Sequence, residues 1–145
     1  MTKIESQVEE FKLNWRDEYL KTICAFANTN GGKLIIGMND NGNLVGAKNA
    51  KKLMEDIPNK VRNKLGIIPS VEIKQKDDKE IIHVLVHPSY VPISYDGRYY
   101  IRSGSTSLEL KGKGLDNFIM KKHKKTWDEF IEEIASFEDI DLETI

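Results

Sequence analysis

The sequence has one cysteine, four prolines, ten glycines among 145 residues and no apolar stretch longer than a few positions. A lone cysteine excludes an internal disulfide framework, and Cys24, set among Ile23, Ala25 and Phe26, reads as a small buried hydrophobe. So little Pro and Gly, with hydrophobic residues at 39% and charged residues at 31%, excludes a disordered or collagen-like chain. Runs such as Leu34-Ile35-Ile36 and Val84-Leu85-Val86 fall far short of the ~20 residues a bilayer helix needs, so no membrane partner is expected. The opening Met1-Thr2-Lys3-Ile4-Glu5 is charged and lacks the apolar core of a secretory signal, which makes a cytoplasmic location the expectation.

Common enzyme signatures are missing too. Gly112-Lys113-Gly114 lacks the spacing of a phosphate-binding loop, there is no Gly-x-Ser-x-Gly elbow, and Cys24 has no histidine near it in sequence. His83 and His87 lie about 13 Å apart on an extended strand, too far to share one ion. One domain's worth of chain remains, long enough for a core without staples.

What is present is an uneven charge. The formal net charge is −1, but residues 126–145 carry eight acidic side chains and no Lys or Arg, leaving 22 basic against 15 acidic in residues 1–125. A body with a surplus of seven positive charges favours polyanions, and the acidic end reads as a helix or linker outside the binding face.

Period-two alternation over Val8–Leu13 predicts a strand with Phe11 and Leu13 inward and Glu10 and Lys12 sharing the other face. Tyr19, Leu20, Ile23, Cys24, Phe26 and Ala27 recur at helical spacing, predicting a helix from Trp15 to Asn28 that Asn28-Thr29-Asn30-Gly31-Gly32 stops. Lys33–Met38 reads as a central strand, Asn39-Asp40-Asn41-Gly42 as a turn, and Leu44-Val45 as a second strand. A basic helix over Lys48–Lys64 follows, with Leu53, Ile57, Val61 and Leu65 inward and an interruption or kink expected at Pro58. Hairpins are predicted at Asp77-Asp78 and Asp96-Gly97, then a helix over Leu115–Lys122 and a separate pattern at Trp127, Phe130, Ile131 and Ile134. This order is α+β, with too little alternation for a Rossmann sheet.

Two constellations could carry chemistry. Arg98, Tyr100 and Arg102 alternate on one strand face, where guanidinium forks beside a ring suit phosphates and bases. The loop that follows offers Ser103 and Ser105, while Lys51 and Lys52 add cations from the basic helix. The other set is acidic: Glu5, Glu10 and Asp40 could converge on Mg²⁺ or Mn²⁺, with Lys12 beside Glu10. The plain alternative is that these are solvated carboxylates and that Asp40 serves only its turn.

Ordered blocks then point to a family. Glu5-Ser6 with Val8-Glu9-Glu10-Phe11-Lys12, then Ala25-Phe26-Ala27-Asn28-Thr29-Asn30-Gly31-Gly32, then Ile36-Gly37-Met38-Asn39-Asp40-Asn41-Gly42 with Gly46, and finally Gly97–Ser105 resemble the AlbA_2, or Schlafen AlbA_2, DNA-binding domain family through about residue 122. The resemblance implies an Alba-like mixed sheet with packed helices, and a nucleic-acid partner, DNA first, in bacterial transcriptional regulators. It places an AlbA_2-like domain at 1–122 and an acidic helix or linker at 123–145, where many relatives continue into an ATP-binding domain. Eukaryotic Schlafen nucleases use two glutamates and an aspartate that by motif fall on Glu5, Glu10 and Asp40, but they join two such lobes, so a homodimer would be needed to restore their groove. A regulator's binding domain with no cofactor therefore ranks first and a metal-dependent nuclease of RNA or DNA second. A protein-interaction module built on the Trp127–Ile134 helix ranks last.

Overall fold

A computed structural model describes the backbone of residues 5–143 and the side chains through residue 136. The chain forms two compact units: one runs to Ser89 and resumes over Ile93–Leu110, and the other joins Tyr90–Pro92 to the segment from Lys111 onward.

The first unit opens with β1 (Glu9–Lys12), a 3-10 turn (Asp17–Tyr19), α1 (Leu20–Asn28) and β2 (Gly32–Ile36). It continues with α2 (Ala50–Leu65), β3 (Ser70–Lys76) and β4 (Lys79–Val86), then β5 (Ser94–Tyr95), β6 (Arg98–Ser103) and β7 (Thr106–Glu109). One sheet has the order β1-β2-β4-β3, parallel only between β1 and β2, and a second, antiparallel sheet has the order β5-β6-β7. The α+β expectation holds, with two sheets where a single mixed one was expected.

Alternation along the strands sorts side chains between two faces. Leu34 and Ile36 of β2 with Ile82, Val84 and Val86 of β4 join Leu20, Ile23, Phe26, Ile57 and Val61 of the helices in the main core. Phe11, Ile35 and Ile81 point the other way and form a smaller cluster with Met38 and Leu44. Phe11 is thus inward as expected, but into this second cluster; Leu13 lies past the strand's end and is exposed, correcting its expected burial.

Local chemistry explains most boundaries. α1 is shorter than its apolar pattern suggested, because the chain enters it through the 3-10 turn. It ends where Gly31 takes a φ of +74° and donates to Phe26 O at 2.8 Å. A Cβ on Gly32 would stand 2.5 Å from the Phe26 ring, so the Gly31-Gly32 pair is needed both for the turn and for strand–helix approach. Asp77 and Asp78 both have positive φ, as do Asp96 and Gly97, and each pair closes a two-residue hairpin. Leu44 and Val45 form no strand: only a Met38–Leu44 bridge is present. Pro58 sits within α2 without ending it, and Ile57, Val61 and Leu65 are buried on its inner face as expected.

In the second unit, α3 runs unbroken over Gly112–Glu143, correcting the expectation of two separate helical stretches. No Gly or Pro lies between Leu115 and Ile145 to interrupt it. Thr126 Oγ1 donates to Tyr90 O at 3.1 Å, and Lys125 Nζ stands 5.7 Å from the Tyr90 ring centroid. No helix among the described residues is long and apolar enough to cross a membrane.

Candidate functional site

The alternation of Arg98, Tyr100 and Arg102 is present, but the face it defines turns inward. Tyr100 and Arg102 are 6% and 4% exposed. The Arg102 guanidinium pairs with the Glu10 carboxylate, donates from Nη2 to Ser6 O at 3.0 Å and from Nη1 to Ser107 Oγ at 3.3 Å, and lies 5.0 Å from the Phe26 ring centroid. It ties the turn before β1 to β6 and has no free edge for a phosphate. Arg98, by contrast, is exposed at the start of β6 and reaches Glu109 at 3.7 Å. Ser103 and Ser105 are also exposed, and the expected loop is a tight hairpin in which Ser103 pairs with Thr106 across Gly104-Ser105.

Sequence reasoning took Asn28 only as a helix stop and missed its larger role. Its Nδ2 donates to Ile93 O and Tyr100 O, each at 2.8 Å, and its Oδ1 accepts from Ile93 N–H at 2.8 Å, all in the interior. Thr29 Oγ1 donates to Ala25 O and accepts from Arg102 N–H at 2.9 Å. Together they fasten the end of α1 to β6. The available signal was a polar residue four positions after Cys24 on the buried face of an amphipathic helix. Cys24 lies in the same place, its thiol pushed up to about 11 by burial and donating to Ile93 O, which makes it structural.

The acidic set is close enough to interact. Glu5 Oε1 accepts from the Phe11 N–H at 3.1 Å, capping the free edge of β1. Burial raises the Glu5 pKa, Glu10 and Asp40 add to the rise, and the Phe11 hydrogen bond and Lys12 oppose it. Glu10, however, is engaged on both oxygens, by Arg102 on one and by Lys12 Nζ at 3.4 Å on the other. Lys12 is itself held over the Tyr19 ring at 4.9 Å. Among the described residues, no three His, Cys, Asp or Glu side chains are placed to hold a metal ion, so Glu5, Glu10 and Asp40 do not fit a metal site in this arrangement.

The open cations lie elsewhere. Lys48, Lys51 and Lys52 are exposed around the start of α2, where Asn49 takes a left-handed φ of 56°. Lys48 and Lys52 line a cavity of about 260 Å³ with Asn14, Trp15, Leu53 and Asp56. Trp15 is fixed there by an edge-on contact with Tyr19, ring centroids 6.2 Å apart, and by donation from Nε1 to Asp17 at 2.9 Å. Asp17 also accepts from Lys60 at 2.6 Å, which lowers its pKa and ties the 3-10 turn to α2.

With this geometry in place, comparison with known proteins identifies the chain's relatives. The Schlafen AlbA_2 family model matches residues 5–111. The chain belongs to this family. Two solved structures share its fold. The DIP2311 protein from Corynebacterium diphtheriae aligns with a TM-score of 0.57 at 20% identity, covering 72% of this chain. The chain spans 25% of the length of that protein. The N-terminal domain of an ATP-dependent DNA helicase RecG-related protein from Nitrosomonas europaea aligns with a TM-score of 0.50 at 24% identity, over 72% of this chain and 84% of that domain. No curated protein matches the chain. Asn28, Thr29 and Arg102, all within the matched span, join α1, β1 and β6 and have a structural role.

Proposed function

We propose that this AlbA_2 domain binds nucleic acid, chiefly DNA and mainly through backbone phosphates, as the binding module of a transcriptional regulator. The observation that carries this reading is the exposed lysine cluster at the start of α2, set beside Trp15 in a cavity. Lysines held near an anchored ring supply the two elements of sequence-tolerant binding, cationic contact with phosphates and a surface for stacking bases. The surplus of seven positive charges over residues 1–125 supports it, as does the family, and the Nitrosomonas europaea neighbour carries DNA helicase in its name. Arg98 belongs to the same reading as an outlying phosphate contact; Arg102 and Tyr100 do not, since both are enclosed.

Metal-dependent nuclease action on RNA or DNA is the second reading, favoured by the electrostatic proximity of Glu5, Glu10, Lys12 and Asp40. The pairing of Glu10 with both Arg102 and Lys12 weighs against it. One assay separates the two. Labelled duplex DNA, single-stranded DNA and structured RNA are titrated at rising salt, then incubated with Mn²⁺ or with chelator. Binding that weakens steeply and log-linearly with salt, without cleavage, supports the phosphate-binding module. Binding that is absent or insensitive to salt overturns it, and Mn²⁺-dependent cleavage lost in a Glu10→Ala, Asp40→Ala variant promotes the nuclease.

A further inference from the structure

α3 has a side that nothing in its own unit covers. Met120, Trp127, Phe130, Ile131 and Ile134 are 69, 60, 49, 45 and 39% exposed, a large apolar load for solvent. At 3.6 residues per turn they fall on one stripe centred on Trp127, with Met120 and Ile134 two turns to either side of it. Trp127 and Phe130 already pack together, their rings tilted by 35° with centroids 5.6 Å apart. The faces of the helix that carry Lys125 and Thr126 are occupied by Tyr90.

The charges beside the stripe say what fits it. Lys121, Lys124, Asp128 and Glu132 follow one another at spacings of three, four and four, so they share one flank, the first two basic and the last two acidic. We propose that α3 pairs antiparallel with α3 of a second copy of this chain, about a twofold axis at Trp127. An axis there places each residue opposite the one equally far on the other side of Trp127. At 1.5 Å per residue, Lys121 lies about 9 Å before Trp127 and Glu132 about 7.5 Å after it, while Lys124 and Asp128 lie about 4.5 Å before and about 1.5 Å after. Lys121 therefore meets Glu132 of the other copy and Lys124 meets its Asp128, each contact made twice by symmetry. On the apolar seam Met120 faces Ile134 and Trp127 faces Trp127. A parallel pair would place this flank against the opposite flank of the other copy, so the four charges would not pair with one another; only the antiparallel arrangement brings basic and acidic halves together. The pairing is independent of nucleic-acid binding, since it uses none of the residues assigned there.

The full chain is measured by light scattering across concentration, together with Trp127→Ala and with the double charge reversal Lys121→Glu, Lys124→Glu. The expected result is a dimer whose dissociation constant rises about tenfold or more in each variant. Adding Asp128→Lys and Glu132→Lys to the charge-reversed chain restores it. Orientation is read by oxidative cross-linking of two further variants, Met120→Cys and Ile134→Cys. Antiparallel pairing links them when mixed and links neither with itself. A single-copy mass at every concentration, or self-linking of Met120→Cys, overturns the proposal. All the substituted side chains are exposed or partly exposed on α3, so folding, checked by circular dichroism, is expected to be retained.

Discussion

Two polar regions of the first unit invite comparison: the enclosed junction of Arg102, Glu10, Asn28 and Thr29, and the exposed lysines at the start of α2. In the sequence both look like ligand-binding material. At the junction every polar group finds a partner within the chain, so removing one orphans another; around Lys48, Lys51 and Lys52 the charges stand in solvent. A guanidinium and an ammonium of the same formal charge therefore do opposite work. One holds two elements together, and the other is left exposed to solvent, where the proposed function would have it meet phosphates.

The largest expected effect breaks the junction. Arg102→Ala leaves the Glu10 carboxylate enclosed with only Lys12 as counter-charge, a loss of about 3–5 kcal/mol on the scale of broken buried pairs, read by chemical denaturation. Should Arg102→Ala unfold as wild type does while losing nucleic-acid affinity, the guanidinium would belong with the binding face instead. Next comes Asn28→Ala, which removes the partner of the Ile93 N–H and of the Tyr100 carbonyl, at about 1–3 kcal/mol for each unsatisfied group, leaves Ile93 O to the Cys24 thiol, and should loosen β5 and β6 first in hydrogen exchange.

The lysines should behave in reverse. Replacing Lys51 and Lys52 with Ala is expected to change stability by no more than about 0.5 kcal/mol. The same change should weaken nucleic acid of every sequence alike and lower the log-log salt slope by about two. Equilibrium titration at several salt concentrations checks both the uniformity and the slope.

The smallest effect comes at Glu5, which is partly buried beside the junction and so lies between the two extremes of enclosed and exposed charge. Its folded pKa is raised above the ordinary value of a glutamate, chiefly by burial, so the folded state holds the proton more tightly than the unfolded chain. Stability from this group is therefore full below the unfolded pKa and is lost as pH rises through the raised folded value. Glu5→Gln keeps an acceptor for the Phe11 N–H and should flatten that decline, slightly stabilising the domain at neutral pH. Denaturation midpoints across acid to neutral pH would show it, and an unchanged decline would trace the pH dependence to another carboxylate.

Local chemistry by itself determined a good deal of this protein. The positive-φ pairs Asp77-Asp78 and Asp96-Gly97 closed the hairpins, the apolar spacing of Ile57, Val61 and Leu65 oriented α2, and the ordered Asn28–Gly32 and Gly97–Ser105 blocks identified the family. These are short-range properties, set by backbone sterics and by a period that one segment carries alone. Only the tertiary structure decided which way each face points. Period two states that Tyr100 and Arg102 share a side, but whether that side meets water or α1 depends on where Glu10, Phe26 and Asn28 arrive from other parts of the chain. Burial is a property of the packed assembly of elements, and a polar side chain becomes a tie or a binding group according to the partners that packing brings to it.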